Sequence, residues 1–456
     1  MIKKRFVLGN LIYYLEENSV IILNLITFRR EKISTKLLST LIEIECKINN
    51  KISLSNEENI IIKGLCDTKQ ILSNEVVSKL DQILEIESES FVNNINKFVV
   101  KACSINLTHE CNFRCTYCYQ NKYKMQTKYK QFMTTKDIDS INEYLAQDYF
   151  ISDELDEFTF SGGESLLPQT INTINYALKN IKSKKFNLFT NGVNLYDYRK
   201  YIEYSNIDEF HISLDDMHEI IKCINKNKDM ASFDKIIKGI KYIESLNKTI
   251  TIIVIWTREL EQCIDEFIDI LKKNDIIVKP NMKIRFCLVK DYYSTKTIDD
   301  NFYDIDYLCS IVKKINLKIL KIGSFIEVYD EGSTLSSLIY RPSNQRKPNK
   351  YKHCDLAKSI PMTFEPNGEI FWCLCLGNEN GCIGNYKDNV YFNKDKVLKL
   401  GNRTIYKIEK CKSCELRYLC AAGCPLPLMG SDNEIHQPVC GLYGNDKFWN
   451  RLEELI

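Results

Sequence analysis

The sequence predicts an α/β chain built on a parallel sheet, and three observations carry that prediction. From about residue 98, short runs rich in β-branched and aromatic residues alternate with stretches of helical periodicity. Six such strand–helix units follow one another within roughly 210 residues, the pattern of a parallel sheet with crossover helices, curled as a partial barrel or doubly wound. The 456 residues, 44% hydrophobic and 27% charged, are ordinary globular material and long enough for two or three domains.

Residues 1–95 read as a separate unit. Asn10–Leu15 and Val20–Thr27 are expected as strands around the turn Glu16-Glu17-Asn18-Ser19. Thr35–Ile48 follows as a helix with Ser34 as N-cap, Ser55-Asn56-Glu57-Glu58 opens a short second helix, and Ser73–Leu84 is a third. Two strands and three helices in that length suit a small winged-helix-like domain.

Residues 98–316 form the strand–helix region. Strands are expected at Ala102–Leu107, Glu157–Phe160, Phe186–Phe189, Glu209–Leu214, Thr249–Trp256 and Lys283–Leu288, with helices at about 135–149, 168–182, 197–203, 231–246, 259–273 and 304–315. In such a sheet the chemistry belongs at the C-terminal ends of the strands. Residues 317–350 bridge to the rest through a strand-like piece and the polar linker Arg341–Lys350, and residues 351–456 are cysteine-rich with short hairpins.

Charge and hydropathy exclude several classes. A net charge of +2 gives no general attraction to nucleic acid or an anionic membrane. The basic start Met1–Asn10 imitates a signal peptide, but its apolar run breaks at Gly9-Asn10, ends in Glu16-Glu17 and lacks a small-residue cleavage site. No apolar run reaches the ~18 residues of a membrane span. The expectation is a cytoplasmic protein with neither a membrane nor a nucleic acid as partner.

Against that background the 19 cysteines are the anomaly. Cytosolic thiols stay reduced, so a surplus there reads as metal binding or catalysis rather than disulfides. Two fall in the first 100 residues, Cys46 and Cys66, whereas Cys354 to Cys440 holds nine. Cys46, Cys66, Cys103, Cys223, Cys263, Cys287 and Cys309 fall mostly within apolar patterns and are read as small core residues.

After the first strand of the α/β region stands Cys111-Asn112-Phe113-Arg114-Cys115-Thr116-Tyr117-Cys118. One compact loop thus offers three soft thiolates and no fourth ligand. On spacing alone an iron–sulfur cluster and a zinc site stand level, although zinc ordinarily wants four ligands.

This CxxxCxxC loop, with Tyr117 before its last cysteine, resembles the signature of the radical S-adenosylmethionine (SAM) superfamily. The resemblance implies a partial (β/α)6 barrel and a 4Fe–4S cluster held by Cys111, Cys115 and Cys118. The open iron of that cluster chelates SAM, whose cleavage gives a 5′-deoxyadenosyl radical that abstracts hydrogen from carbon. Ser161-Gly162-Gly163-Glu164, one strand–helix unit later, resembles the family's Gly-Gly-Glu, with the carboxylate expected to accept from the SAM ammonium and to matter more for SAM than for folding. Asn191, in Thr190-Asn191-Gly192, and Ser213 and Asp215, in Ser213-Leu214-Asp215, resemble further SAM-lining positions. Relatives carry an Arg shortly after the fourth strand for the SAM carboxylate. Here Lys222, Lys226 and Lys228 stand instead, and a lysine is a point charge rather than a fork.

The C-terminal cysteines resemble the SPASM extension, which holds two auxiliary 4Fe–4S clusters and so brings the expected total to three. Cys354, then Gly368-x4-Cys373, then Cys411-x2-Cys414-x5-Cys420-x3-Cys424, and finally Cys440, match its spacing. A pair of zinc-ribbon knuckles is the competing reading. By the resemblance, Cys411, Cys414, Cys420 and Cys440 hold the outer cluster, and Cys354, Cys373 and Cys424 the inner one. The inner cluster's fourth ligand lies open between Cys375, Cys382 and a vacant position.

SPASM enzymes mostly modify peptides or proteins. The anaerobic sulfatase maturases among them make formylglycine and place an Asp after the Gly-x4-Cys cysteine, where this chain has Leu374. They also begin close to the barrel, whereas residues 1–95 here resemble the winged-helix element that captures the leader of a ribosomally made precursor peptide by strand addition. The expectation is therefore a peptide maturase that installs a thioether, a carbon–carbon crosslink or an oxidised side chain, fed by ferredoxin or flavodoxin. The leader would lie along a strand edge within Val20–Thr27, and residues 1–95 would be dispensable for SAM cleavage itself. A cluster-sensing regulator that binds DNA needs a basic recognition helix; Ser73–Leu84 instead sets Lys79 against Glu75 and Asp81.

Overall fold

A computed structural model describes residues 6–440 apart from 9–10, 17–18, 25, 27–28, 69–73, 90, 93–95, 116–117, 119, 121–130, 203, 215–229, 289–317, 320–321, 323–324, 328–358, 375–380, 426–427 and 429–435. Tyr117, Asp215, the lysines at 222–228, Cys223, Cys309, Cys354, Cys375, the helix expected at 304–315 and the Arg341–Lys350 linker lie outside the described residues.

The N-terminal unit has four strands where the sequence suggested two: β1 (Phe6–Val7), β2 (Leu11–Glu16), β3 (Ser19–Asn24) and β4 (Arg30–Ile33), in antiparallel order 1-2-3-4. The short, charged β4 carries too little hydrophobic alternation to announce itself. Helices α1 (Thr35–Asn49), α2 (Asn56–Asp67) and α3 (Asn74–Ser88) follow. Ser34 caps α1 by accepting from Leu37 N (3.1 Å), and Ser55 with Glu58 closes a capping box on α2 that Lys47 reinforces at 2.6 Å. Leu11, Val20, Ile22, Ile33, Leu38 and Leu41 form this unit's core.

This arrangement corrects one expectation and adds a contact the sequence did not announce. β3 is flanked on both sides, Ile21 pairing with Tyr14 of β2 and with Lys32 of β4, so Val20–Leu23, the part of the expected Val20–Thr27 edge that is paired on both sides, is not an open edge. The unit also packs against the cysteine-rich region. Asp81 of α3 accepts from Tyr406 OH (3.0 Å), from Tyr418 OH and from the Arg417 guanidinium (3.1 Å). Leu84 packs with Ile405, Ile408, Tyr418, Ala422 and Cys411 itself. Deleting residues 1–95 would therefore uncover a cysteine of the second constellation.

Strands β5 (Phe98–Val99), β6 (Ala102–Asn106), β7 (Phe150–Ile151), β8 (Glu157–Ser161), β9 (Phe186–Thr190), β10 (Glu209–Ser213), β11 (Thr249–Trp256), β12 (Met282–Leu288), β13 (Phe325–Glu327), β14 (Pro361–Phe364), β15 (Glu369–Phe371), β16 (Cys382–Asn385) and β17 (Tyr391–Phe392) complete the set. Apart from a small β5–β7 pair, all belong to one sheet of order 13-12-11-10-9-8-6-14-15-16-17. It is parallel from β13 to β14 and antiparallel from β14 to β17. The cysteine-rich region is thus no appendage of loose hairpins, for its first strand lies against the first strand of the α/β unit. Residues 194–201 form turns rather than the helix expected at 197–203, and the 259–273 helix is broken at Cys263 into Arg258–Gln262 and Ile264–Lys273.

Strand alternation sorts the two faces. The in-register row Phe364, Ile105, Phe160, Leu188, Phe210, Ile250, Met282 is fully buried and packs in the main core with helix residues such as Ile138, Ile174 and Ile240. The neighbouring row, Thr363, Ser104, Thr159, Asn187, Glu209, Thr249, is polar throughout. Parallel sheets are ordinarily apolar on both faces. A polar face here suits a wet, ligand-holding interior.

Cys103 and Cys287 are buried core residues as expected, and burial pushes the Cys103 thiol far up. Cys66 and Cys263 are half-buried, while Cys46 faces solvent because it lies off the apolar stripe Leu38–Leu41–Ile44. Among the described residues, no helix is long and apolar enough to cross a membrane.

Candidate functional site

The first constellation grows from the C-terminal end of β6. Cys111, Cys115 and Cys118 lie in one loop, with Cys118 N donating to Cys115 O (3.3 Å). The Cys111 sulfur receives Phe113 N at 3.3 Å and faces Asn191 Nδ2 at 3.9 Å. Donors aimed at sulfur are what a thiolate ligand needs. Among the described residues no three Cys, His, Asp or Glu side chains close to single-ion distances.

Ser161, Gly162, Gly163 and Glu164 leave the end of the adjacent β8 and pack on the root of that loop. Gly163 N donates to Thr108 O (2.7 Å) and Glu164 N to Glu110 O (2.9 Å). A Cβ on Gly162, whose φ is +135°, would stand 2.4 Å from Thr108 O, and one on Gly163 would stand 2.3 Å from Glu110 O. The glycines are therefore required by backbone-to-backbone contact.

Glu164 has a role that the sequence did not reveal. Its carboxylate is 1% exposed and accepts from Leu166 N (2.8 Å), Thr190 Oγ1 (2.6 Å) and Asn191 N (2.8 Å). Three of about four acceptor positions are thus filled from within. The side chain clamps the ends of β8 and β9 together, so it serves the fold as well as the expected SAM site. Through this clamp Asn191 reaches the cysteine loop, donating to Asn112 Oδ1 at 2.7 Å. Replacing Glu164 by Ala strands three buried donors, at about 1–3 kcal/mol each. The expected result is a lowered melting temperature together with SAM affinity reduced roughly tenfold or more in calorimetric titration. Unchanged affinity in a destabilised variant would confine Glu164 to the clamp.

Ser213 closes β10, half-buried, with Leu214 N bonded to Ile253 O (2.8 Å). Below it on the polar face, His211 stacks on Phe189 with centroids 4.1 Å apart. Burial pulls the His211 imidazole down to about 4 against the opposing pull of Glu209. Burial alone would raise the Glu209 carboxyl, but Lys185, His211, Lys283 and the Thr251 hydroxyl hold it at about 2. Both groups bind fewer protons folded than unfolded, so stability is full above the unfolded values and lost on acidification. For His211 the window runs from 6.5 down to about 4. The denaturant midpoint is expected to fall across that window, and the His211→Asn variant to show a flatter profile.

The second constellation is held by residues the sequence did not single out. Cys411, 6% exposed, lies near enough to Cys414 and Cys440 that burial and those two thiols push it up to about 11. Thiols so gathered fit a metal cluster, which offsets their mutual repulsion as thiolates. Between Cys420 and Cys424 the backbone turns through Ala421, Ala422 and Gly423 at φ +50°, +67° and +71°. Arg403, 4% exposed, binds the carbonyls of Gly423 (2.7 Å), Ala422 (2.7 Å) and Gln437 (3.0 Å), fastening this knuckle to the segment that ends in Cys440. A lone Arg in a polar stretch carries no sequence signal for such a role. Cys373 follows β15, and Cys382 stands opposite Phe371 with its thiol donating to Gly384 O (3.4 Å).

Known proteins share this architecture. The family profile described as Radical SAM superfamily matches residues 105–271. The chain is 23% identical over 344 residues to the cysteine-type anaerobic sulfatase-maturating enzyme of Clostridium novyi, which spans 72% of this chain and 87% of that one. Its fold is similar to Streptococcus suis SuiB bound to S-adenosylmethionine, with TM-score 0.52, 18% identity, and 95% and 98% of the two chains covered. It is also similar to anSMEcpe with bound AdoMet, with TM-score 0.52, 17% identity, and 78% and 95% covered.

Proposed function

We infer, for an enzyme whose residues 105–271 are a radical SAM domain, that it is a maturase acting on a ribosomally made precursor peptide. A radical SAM domain implies SAM and one 4Fe–4S cluster, and together these supply the 5′-deoxyadenosyl radical that removes hydrogen from carbon. Cys111, Cys115 and Cys118 hold that cluster. Ser161, Gly162, Gly163, Glu164, Asn191 and Ser213 shape the SAM site, with Tyr117 and Asp215 beside them in sequence. Cys411, Cys414, Cys420 and Cys440 hold an outer auxiliary cluster, and Cys354, Cys373 and Cys424 an inner one. Ferredoxin or flavodoxin delivers the electron.

The observation that carries the reading is the joining of Cys111, Asn112, Asn191 and Glu164 into one bonded network at the strand ends. That network ties the cysteine loop to the Gly-Gly-Glu turn, which supports SAM binding between them. A protein substrate is supported by the sulfatase-maturating relative. Formylglycine formation is disfavoured by Leu374, which follows Cys373 where those enzymes carry Asp.

The leader-binding edge is β4. Among the described residues β4 pairs only with β3, and its register sets Arg30, Glu31, Lys32 and Ile33 along the outer margin of the sheet. Ile26 and Leu80 of α3 both pack against the cluster around Leu84, Ile405 and Ile408, and Val76, Ile83 and Ile86 of α3 are exposed and offer a surface for apolar leader residues. The test is to incubate the reduced enzyme and SAM with peptides from short reading frames beside its gene. The expected product has lost two hydrogens by mass spectrometry, at a thioether, a carbon–carbon crosslink or an oxidised side chain. SAM cleavage with no peptide ever modified would end the reading.

A further inference from the structure

The carboxylate of Glu365 joins two regions that lie 256 residues apart in sequence. Strand β14 runs parallel to β6 with Thr363 beside Ser104 and Phe364 beside Ile105. The next residue, Glu365, turns a 3%-exposed side chain onto the end of β6. Its Oε1 accepts from Asn106 Nδ2 at 2.6 Å, and its Oε2 lies 2.7 Å from His109 Nε2, whose N–H donates. Asn106 and His109 are themselves 1% and 3% exposed. A buried carboxylate with two such donors makes strong, directional bonds.

Each end of this bridge leads to cysteines. The Glu365 carbonyl accepts from Tyr386 OH (2.9 Å) and Gly368 N (3.0 Å), which locks it into the β14–β15 hairpin that runs on to Cys373. His109 lies two residues before Cys111, between the Thr108 and Glu110 carbonyls that receive the Gly-Gly-Glu backbone. The loop root is therefore gripped from β8 on one side and from the cysteine-rich region on the other.

We propose that Glu365 is a positioning residue for SAM cleavage, its carboxylate fixing the loop of Cys111, Cys115 and Cys118 from the C-terminal region through Asn106 and His109. The inference rests on the assignment of those cysteines to the SAM-binding cluster. It makes the auxiliary hairpin part of the frame of the first cluster.

The test uses the full-length, anaerobically reconstituted chain with Glu365→Gln, Glu365→Ala and a control. The control is the double variant Ser104→Ala/Thr363→Val, which removes the other buried side-chain bond between β6 and β14 (2.8 Å) without touching the loop. Removing both partners of that bond leaves no orphan. Iron content, the electron paramagnetic resonance change on adding SAM to the reduced protein, and KM and kcat for 5′-deoxyadenosine formation are compared. The expected result is retained iron, an altered SAM-induced spectrum, and a KM for SAM raised roughly tenfold in Gln and more in Ala, with the control like the parent. Should Ala fail to fold, Gln decides. A parental spectrum and KM in Gln would overturn the inference, as would a control shifted equally, since strand cohesion would then be the cause. Failure of the underlying assignment shows separately, as unchanged iron when all three loop cysteines are replaced.

Discussion

Replacing Cys111, Cys115 and Cys118 together by alanine is expected to remove about four of about twelve irons and to abolish 5′-deoxyadenosine formation. The auxiliary iron should remain, because the second constellation is braced independently of the loop. Arg403 holds its knuckle, Leu84 of α3 packs with Cys411, and Asp81 of α3 binds Arg417. The fold should also survive, since the three thiols lie beyond the end of β6 rather than in its apolar row. Iron and sulfide assays with the visible spectrum of the reconstituted variant check the first part, and chromatography of the SAM products checks the second. Full iron content, or cleavage at the parental rate, would remove the chemistry from this loop. Zinc in place of iron would remove it from the protein.

Proline substitutions in β4 are expected to separate peptide turnover from SAM cleavage. In an antiparallel strand, successive residues point their N–H groups to opposite sides. Of Glu31 and Lys32, paired with Ile22 and Ile21 of β3, one therefore donates within the sheet and the other points outward. Proline at the inward position breaks a ladder bond and lowers the melting temperature. At the outward position it leaves the sheet intact but denies the leader a backbone donor. Turnover of a full-length precursor should then fall roughly tenfold or more while uncoupled SAM cleavage holds. Melting curves identify which variant is which. If both variants modify the precursor at the parental rate, the leader does not add to β4.

The barrel strands and the cysteine loops were legible because their signals are local. Short apolar runs at regular spacing mark Ala102–Asn106 or Thr249–Trp256 without knowledge of their neighbours, and CxxxCxxC is contained in eight residues. Capping at Ser34 and Ser55 was legible for the same reason, the bond partner being three residues on. The turns at 194–201 resemble a helix in sequence because Leu195, Tyr198 and Ile202 stand at i, i+3 and i+7, and it is through these residues that the chain there covers the main core. β4 gave no sequence signal because a four-residue strand carrying Arg30, Glu31 and Lys32 has little hydrophobic alternation, with Glu31 and Lys32 exposed and Ile33 buried.

By itself the sequence determined where the soft thiol donors stand, in what order the strand–helix units come, and that most of the clustered cysteines divide into two groups. Those properties depend on residue type and on spacing within a dozen positions. Tertiary structure alone decided that β14 would pair with β6, so that Glu365 meets His109; that Arg403 would fasten Gly423 to Gln437; and that Asp81 would bind Arg417 across the interface with α3. It also decided that Glu164 would spend its carboxylate on Thr190 and Asn191. Each of these is a polar contact between distant segments, made where burial leaves a donor or acceptor no water to bind. A single sequence gives an Asp, Glu or Arg the same appearance whether its partner is solvent or a strand three hundred residues away.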